Sequence, residues 1–191
     1  MDKCPLQSGC YYHIYNRGNN KENIFREPRN YDYFLVLWKK YIEPIALAFV
    51  YSLQPNHFHF LIFIKENATE SKISKAFSNY FNAYAKSFNK AYNRTGSLFQ
   101  ERFGRKYISD EKYFTEIIFY IHTNSQKHGI TEDFTKYHYS SYLSLLSDKP
   151  TLLQRKEVID WFGDKKEFIN FHKGNMEINL QYLNELDKMN Y

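Results

Sequence analysis

The sequence predicts an α+β sandwich, a central antiparallel sheet with helices packed mainly on one face, followed by a small helical C-terminal extension. Three observations lead there. Short segments rich in aromatic and β-branched residues alternate with segments whose apolar residues recur every three or four positions. Their order is strand, helix, strand pair, helix, strand, helix. At 191 residues the chain suits one domain with room for an appendage.

Residues 11–16 (YYHIYN) read as a first strand, and Arg17-Gly18-Asn19-Asn20 as a turn. Pro28 opens a helix whose apolar side carries Tyr31, Phe34, Leu35, Trp38 and Tyr41, with Pro44 at or just past its end. Residues 45–53 form a second strand, Gln54-Pro55-Asn56 a tight turn, and residues 57–64 a third strand, hence a hairpin. Asn67-Ala68-Thr69-Glu70 offers capping groups to a long helix. Its stripe of Ile73, Phe77, Tyr80, Phe81, Tyr84 and Phe88 is an ordinary core face. After the loop Arg94-Thr95-Gly96-Ser97 comes a fourth strand, residues 103–109. Asp110 caps a helix from Glu111 to about Lys127, and Gly129 stands just past its end. Beyond Tyr142 the pattern changes. Residues 151–162 and 165–173 look like short amphipathic helices, and a polar Asn-rich tail comes after them. The expected division is residues 1–142 as the main domain and 143–191 as the extension.

Composition narrows the class. With 18 Tyr and 17 Phe, a single tyrosine carries no weight without its neighbours. A net charge of +5 is compatible with a nucleic-acid partner without demanding one. Cys4 and Cys10 match neither a zinc pattern nor a disulfide framework, which points to a reduced, cytoplasmic setting. No apolar run approaches the length of about 18 that a transmembrane helix needs. The opening MDKCPLQSG lacks the apolar stretch of a signal peptide.

The most informative segment is residues 56–63 (NHFHFLIF). Side chains alternate along a strand, so His57 and His59 share one face and Phe58 takes the other. Two adjacent neutral imidazoles can hold one divalent metal. The plainer alternative, two partly buried, hydrogen-bonded histidines, stays open at this point. On the helix after Asp110, Tyr120 and Asn124 are one turn apart on a single face, with a rise of roughly 6 Å between them. The Asn124 amide oxygen can complete a His-His-Asn ligand set, with Tyr120 beside it. Lys127 falls on the same face and can neutralise a phosphate or assist a leaving oxygen. The alternatives are a tyrosine packed on the sheet and an asparagine in a helix-terminal hydrogen bond. His122 faces the other way, and His13, His128, His138 and His172 are isolated in the sequence.

Between the two halves of this site lies a basic stretch: Lys72, Lys75, Lys86, Lys90, Arg94, Arg102, Arg105 and Lys106. Tyr80, Tyr84, Tyr92, Phe99 and Phe103 interleave with it. Basic groups track phosphates and aromatic faces stack on unpaired bases. A solvated helix face explains Lys72 and Lys75 equally well.

His57-Phe58-His59 followed by Tyr120-x-x-x-Asn124 resembles the single-tyrosine HUH transposases, in which HUH denotes His, a bulky hydrophobic residue, and His. It resembles in particular the REP-associated tyrosine transposases, relatives of the insertion-sequence-200-like enzymes. Pro55-Asn56-His57-Phe58-His59 is similar to the family's Pro-x-His-hydrophobic-His. Residues 96–103 (GSLFQERF) are similar to its Gly-x-hydrophobic-Trp-Gln-x-Arg-Phe, with Phe99 for Trp. Residues 120–125 (YIHTNS) are similar to its Tyr-Ile-x-x-Asn-Pro, with Ser125 for Pro. Tyr139-Ser140-Ser141-Tyr142 is similar to its Trp-Ser-Ser-Tyr, and Tyr12-His13-Ile14 through Arg17-Gly18-Asn19 to its opening strand and turn. The likeness spans residues 11–142, and Leu143 onward has no counterpart in it.

The resemblance implies a ferredoxin-like HUH endonuclease fold and a transposase that cuts and rejoins single-stranded DNA. Tyr120 would be the nucleophile, forming a 5′-phosphotyrosine, with Lys127 assisting. His57, His59 and Asn124 would hold Mg²⁺ or Mn²⁺. Nitrogen ligands suit manganese better than magnesium, which prefers oxygen. Arg17, Lys86, Lys90, Arg94, Gln100, Arg102, Arg105 and Lys106 would face the DNA, which in relatives carries hairpin repeats. Relatives act as homodimers or as monomers, and a nucleoid-associated location would accompany such a role. The competing expectations are a catalytically silent nucleic-acid-binding regulator of the same fold, and a rolling-circle or relaxase-type nicking endonuclease. An unrelated His-x-His metallohydrolase is disfavoured by the lack of nearby acidic ligands.

Overall fold

The computed structural model of the chain describes residues 5–110 and 112–174. Four strands, β1 (Tyr11–Arg17), β2 (Ala46–Gln54), β3 (His57–Ile64) and β4 (Gly104–Ile108), form one sheet in the order β2-β3-β1-β4. All neighbouring pairs are antiparallel. Helix α1 (Pro28–Tyr41) links β1 to β2, and α2 (Glu70–Ala91) links β3 to β4. Each link joins parallel strands separated by one strand between them, which is the ferredoxin-like arrangement. Right-handed crossovers of this kind send both helices to the same face. That face carries Ile14, Phe58 and Phe60, packed with Phe34 and Trp38 of α1 and Phe77, Tyr80 and Tyr84 of α2. Trp38 stacks on Phe60 at 4.0 Å between ring centroids.

The second face is covered by the chain after β4. Helix α3 (Lys112–Lys127) sets Phe114, Ile117, Ile118 and Ile121 over Val50 and Leu61. Helices α4 (Tyr142–Leu146), α5 (Arg155–Phe162) and α6 (Lys165–Gly174) add Tyr142, Val158 and Phe168 to the same cluster. A β-bulge between Ala48 and Val50 supplies an extra aromatic there: Phe49 stacks on Trp161 of α5 at 5.1 Å.

The expected strands and the first three helices are found close to their predicted limits. The helix expected over residues 151–162 begins only at Arg155. Leu153 is instead extended and bridges Ala48 at the sheet edge, where the Gln154 N–H donates to the Ala48 carbonyl at 2.9 Å. Helix α4 is too short to show a period in the sequence. Thr69 does precede α2, but its hydroxyl makes no capping bond. Cys10 is a free thiol. Cys4, Glu111 and the Asn-rich tail lie outside the described residues. Among the described residues no helix is long and apolar enough to cross a membrane.

A buried chain of hydrogen bonds ties the C-terminal helices to α3. His172 Nδ1 donates to the Phe168 carbonyl at 2.8 Å, so its Nε2 is an acceptor. His122 Nδ1 therefore donates to His172 Nε2 at 2.9 Å, leaving His122 Nε2 to accept from the Ser141 hydroxyl at 2.9 Å. Both rings must be neutral for this order to exist. Burial holds the His172 pKa down to about 4. Burial, with His172 beside it, holds His122 well below the usual histidine range.

This packing has two measurable consequences. The folded-state pKa values of His122 and His172 are depressed, so the unfolded chain takes up protons below about pH 6.5 that the folded chain refuses. Stability is full above that pH and falls toward pH 4, by about one kcal/mol per pH unit for each such histidine. Urea midpoints measured from pH 7.5 to 4.5 should decline accordingly, and His172→Leu should flatten the slope. Gly104 lies opposite Tyr15 in the β1–β4 ladder, and a Cβ there would collide with the Tyr15 ring. Gly104→Ala is expected to cost about 1–3 kcal/mol as overpacking, read as a lowered melting temperature.

Candidate active site

The second sheet face, the one α3 covers, is where alternation puts His57 and His59. Across the ladder, Arg17 and Gln54 flank His57, while Tyr15 and Ser52 flank His59. One end of this face is therefore polar although α3 lies over it. His57, His59, Asn124 and Tyr120 are all buried, the last two completely. The Asn124 Oδ1 stands 2.8 Å from His57 Nε2. The Tyr120 ring packs edge-on against His59, 5.4 Å between centroids, and against His13 at 5.7 Å. The imidazole pair of β3 and the phenol and amide of α3 thus meet within one chain.

His57 has an amide oxygen at each ring nitrogen: Asn56 Oδ1 lies 2.6 Å from Nδ1, and Asn124 Oδ1 lies at Nε2. A neutral ring has one N–H and satisfies only one of them. With Nδ1–H given to Asn56, the Nε2 lone pair faces the Asn124 oxygen, an arrangement that a cation between them relieves. Turning the Asn124 amide over makes an ordinary N–H···N bond instead, so the same spacing serves with and without an ion. Neighbouring ligand atoms on an octahedral ion with bonds of about 2.1 Å stand about 3 Å apart, close to the observed separation. His59 Nε2 and Asn124 Nδ2 are buried with no hydrogen-bond partner. Burial, with His13, His57 and His128 nearby, keeps the His59 ring well below its usual pKa, hence neutral as a ligand must be. Among the described residues no three His, Cys, Asp or Glu side chains are grouped to hold an ion, so an ion here must take an amide oxygen. The residues fit Mg²⁺ or Mn²⁺ held by His57, His59 and Asn124.

Several residues of this site are not singled out as site residues in the sequence. His13, isolated in the sequence, is fully buried and its Nε2 lies 2.9 Å from His59 Nδ1. Gln54 is fully buried, donates from Nε2 to Ser52 Oγ at 2.7 Å, and leaves Oε1 without a partner beside His57. His128 sets its ring edge-on to His57 at 5.1 Å. Together with Arg17, Lys21 and Asn56 it lines an opening of about 540 Å³ onto His57. The alternation that pairs His57 with His59 also puts His13 on one side of β1, but which strand lies beside β3 is not written in either segment. His122 turns away from the site, as expected, and His138 is exposed. Lys127 is half-buried at the end of α3.

The basic residues do not form one surface. Lys86, Gln100, Arg102 and Arg105 line a groove of about 1220 Å³ beside α2, on the face of the sheet away from the histidines. Phe77, Phe81 and Phe103 line it too, with Phe103 stacked on Phe77 at 4.9 Å. Lys90 is exposed one turn beyond Lys86. Arg105 and Lys106 are adjacent on β4 and must diverge; Lys106 stands opposite His13, on the histidine side. Arg94 departs from its expected DNA-facing role. Its guanidinium is committed to Glu22 at 2.8 Å, to Asn89 and to the carbonyls of Thr95, Gly96 and Ser97. It fastens the loop that borders the groove.

Comparison with known proteins agrees with this architecture. The model of the IS200-like transposase family matches residues 6–124. A solved structure of a REP-associated tyrosine transposase bound to a REP hairpin superposes with a TM-score of 0.59 at 16% identity, covering 78% of this chain and 87% of that one. A bacterial tRNA(His) guanylyltransferase-like protein in complex with ATP gives a TM-score of 0.47 at 12% identity, covering 86% and 73%. That likeness is too slight to bear on function. No curated protein matches the chain. With more than half its length matched by the family model, and with the fold of a REP-associated tyrosine transposase, the chain belongs to the IS200-like transposase family.

Proposed function

We propose that this transposase cleaves and rejoins single-stranded DNA through a 5′-phosphotyrosine on Tyr120, with Mg²⁺ or Mn²⁺ held by His57, His59 and Asn124. The observation that carries the reading is the contact of Asn124 with His57 at 2.8 Å while Tyr120, one turn earlier on α3, packs on His59. A chance pair of residues on a helix has no reason to meet both histidines.

The Tyr120 oxygen attacks a backbone phosphorus, the bond from phosphorus to the 3′ oxygen breaks, the phenol loses its proton and the 3′ oxygen gains one. The phosphodiester energy is kept in the tyrosyl ester, and a 3′-hydroxyl from another strand reverses the step. When bound, the ion polarises the scissile phosphate and offsets charge on its oxygens. Arg17, beside His57, and Lys127, at the end of α3, add positive charge for the anionic substrate. His57, His59, Asn124 and Tyr120 come from one chain, which supports action in cis by a monomer. The REP hairpin bound by the structural relative supports a hairpin-bearing single strand as substrate; a nucleoid-associated location in the cytoplasm would accompany such a substrate.

The complete burial of Tyr120 favours a second reading, a silent DNA-binding regulator. A covalent-adduct assay separates the two. Single-stranded DNA with hairpin repeats, incubated with the protein and Mn²⁺, should give an adduct that survives a denaturing gel. Tyr120→Phe should abolish it, and EDTA should suppress it. Asn124→Ala should reduce it by about 10²-fold or more, as expected for losing electrostatic stabilisation of the reacting phosphate. Binding without any adduct supports the regulator, and an adduct persisting in Tyr120→Phe moves the nucleophile elsewhere. The groove makes a separate prediction. Arg102→Ala and Arg105→Ala should weaken single-strand binding about equally for all sequences, and each should lower the log–log salt slope by about 0.7. Arg94→Ala should instead lower the melting temperature, because its donors hold the loop.

A further inference from the structure

We infer that His13 is a positioning residue of the metal site: it accepts the Nδ1 hydrogen of His59 and so turns the His59 Nε2 lone pair toward the ion, as Asn56 does for His57. This rests on the reading of His57, His59 and Asn124 as ligands. The geometry is direct. His13 Nε2 and His59 Nδ1 are 2.9 Å apart, and the rings lie side by side, with centroids 5.1 Å apart and planes 21° from parallel. Asn56 Oδ1 occupies the corresponding nitrogen of His57 at 2.6 Å. Both imidazoles therefore have Nδ1 engaged; His57 Nε2 faces Asn124 of α3, and His59 Nε2 is buried with no hydrogen-bond partner.

His13 sits on β1 opposite Leu61, diagonal to His59 on the same face. Tyr15 lies against its ring at 5.0 Å and Tyr120 edge-on at 5.7 Å, so the imidazole has no freedom to swing away. His13 is fully buried and His59 nearly so, which shields the shared bond from bulk water. Two neutral rings joined through one N···N contact share a single hydrogen between them. If His13 holds it, His59 is forced into the tautomer with a hydrogen on Nε2 and cannot ligate there. If His59 holds it, Nε2 is a lone pair and His13 carries its own hydrogen on Nδ1. Ligation at His59 Nε2 thus selects one tautomer of the pair. Partners of this kind fix ring orientation and ligand basicity in metal sites, and their loss costs about 10–100-fold in affinity.

The test uses the full chain with Mn²⁺ alone, without DNA, and reads affinity from the free-ion EPR signal. His13→Phe keeps the ring volume and removes the acceptor, and should weaken Mn²⁺ binding about 10–100-fold. His13→Gln restores an acceptor oxygen near the lost nitrogen, and should recover most of the affinity. A purely structural role gives the opposite pattern: the apolar ring is tolerated in the buried slot and the amide is not. A second measurement needs no variant. In ¹⁵N-histidine protein loaded with diamagnetic Zn²⁺, the bridging hydrogen should be on His59 Nδ1, with a nitrogen–nitrogen coupling across the bond to His13 Nε2. Wild-type binding matched by His13→Phe, or a bridging hydrogen found on His13, overturns the role of His13 and leaves the ligand assignment standing. Failure of the wild type to bind Mn²⁺ overturns the ligand assignment and this inference together.

Discussion

The seating of α3 across the sheet face that α1 and α2 leave bare is the constraint on which the rest depends. Right-handed crossovers commit both earlier helices to one side, so the histidine side can be covered only by chain that comes later. Phe114, Ile117, Ile118 and Ile121 supply that cover, and burying each such side chain is worth about 1.5–3 kcal/mol. At the other end of the same helix, Asn124 and Tyr120 go into a region where His13, Gln54, His57 and His59 are already buried. Polar groups left unsatisfied there cost about 1–3 kcal/mol each. The apolar half of the helix anchors it firmly enough to hold the polar half against groups that have no solvent to satisfy them. The open valences at His59 Nε2, Asn124 Nδ2 and Gln54 Oε1 are concentrated at this one end of the interface.

The C-terminal helices reinforce the same seating from behind. His122 lies between Tyr120 and Asn124 in sequence but on the opposite side of α3, where it joins His172 and Ser141. Trp161 stacks on Phe114 at 4.4 Å and on the bulged Phe49. Residues beyond the span matched by the family model thus hold the back of the helix whose front carries the phenol and the amide. Those helices belong to the same apolar cluster as α3, so the boundary expected near residue 142 is a change of sequence pattern and not a gap in the packing.

Much of this was legible in the sequence because it rests on local periodicity. A two-residue repeat forces His57 and His59 to one face, and a four-residue interval puts Tyr120 and Asn124 on one side of a helix. The strand and helix order also determines the layer type without reference to any contact. What could not be read depends on register between distant segments. His13 joins the site only because β1 pairs with β3 so that Tyr15 meets His59. Arg94 resembles a phosphate ligand in the sequence because its charge is visible there and its partner, Glu22, is not. Arg105 and Lys106 are different: alternation along a strand already separates adjacent residues, so the period that pairs the histidines also rules out a single patch of these two.

On the proposed function one strand of DNA has to reach both the groove and the histidine site, which lie on opposite faces of the sheet, and the backbone around Arg17 connects the two. The Gln100 N–H donates to the Arg17 carbonyl at 2.8 Å, the Asn19 N–H donates to the Leu98 carbonyl at 3.0 Å, and Gly18 bridges Phe99. The loop that forms one wall of the groove is thereby stitched to the end of β1. The Arg17 side chain at that end stands opposite His57 and lines the opening onto it, with Lys21 and His128. On the proposed function, a strand lying along Lys86, Arg102 and Arg105 would round the end of β1 past Gln100 and meet positive charge again at Arg17 before reaching the imidazoles. That route crosses no edge strand and needs only the opening beside His57. On that function Arg17 would be the joint between recognition on one face and chemistry on the other, through its position at the end of β1 rather than through its charge alone.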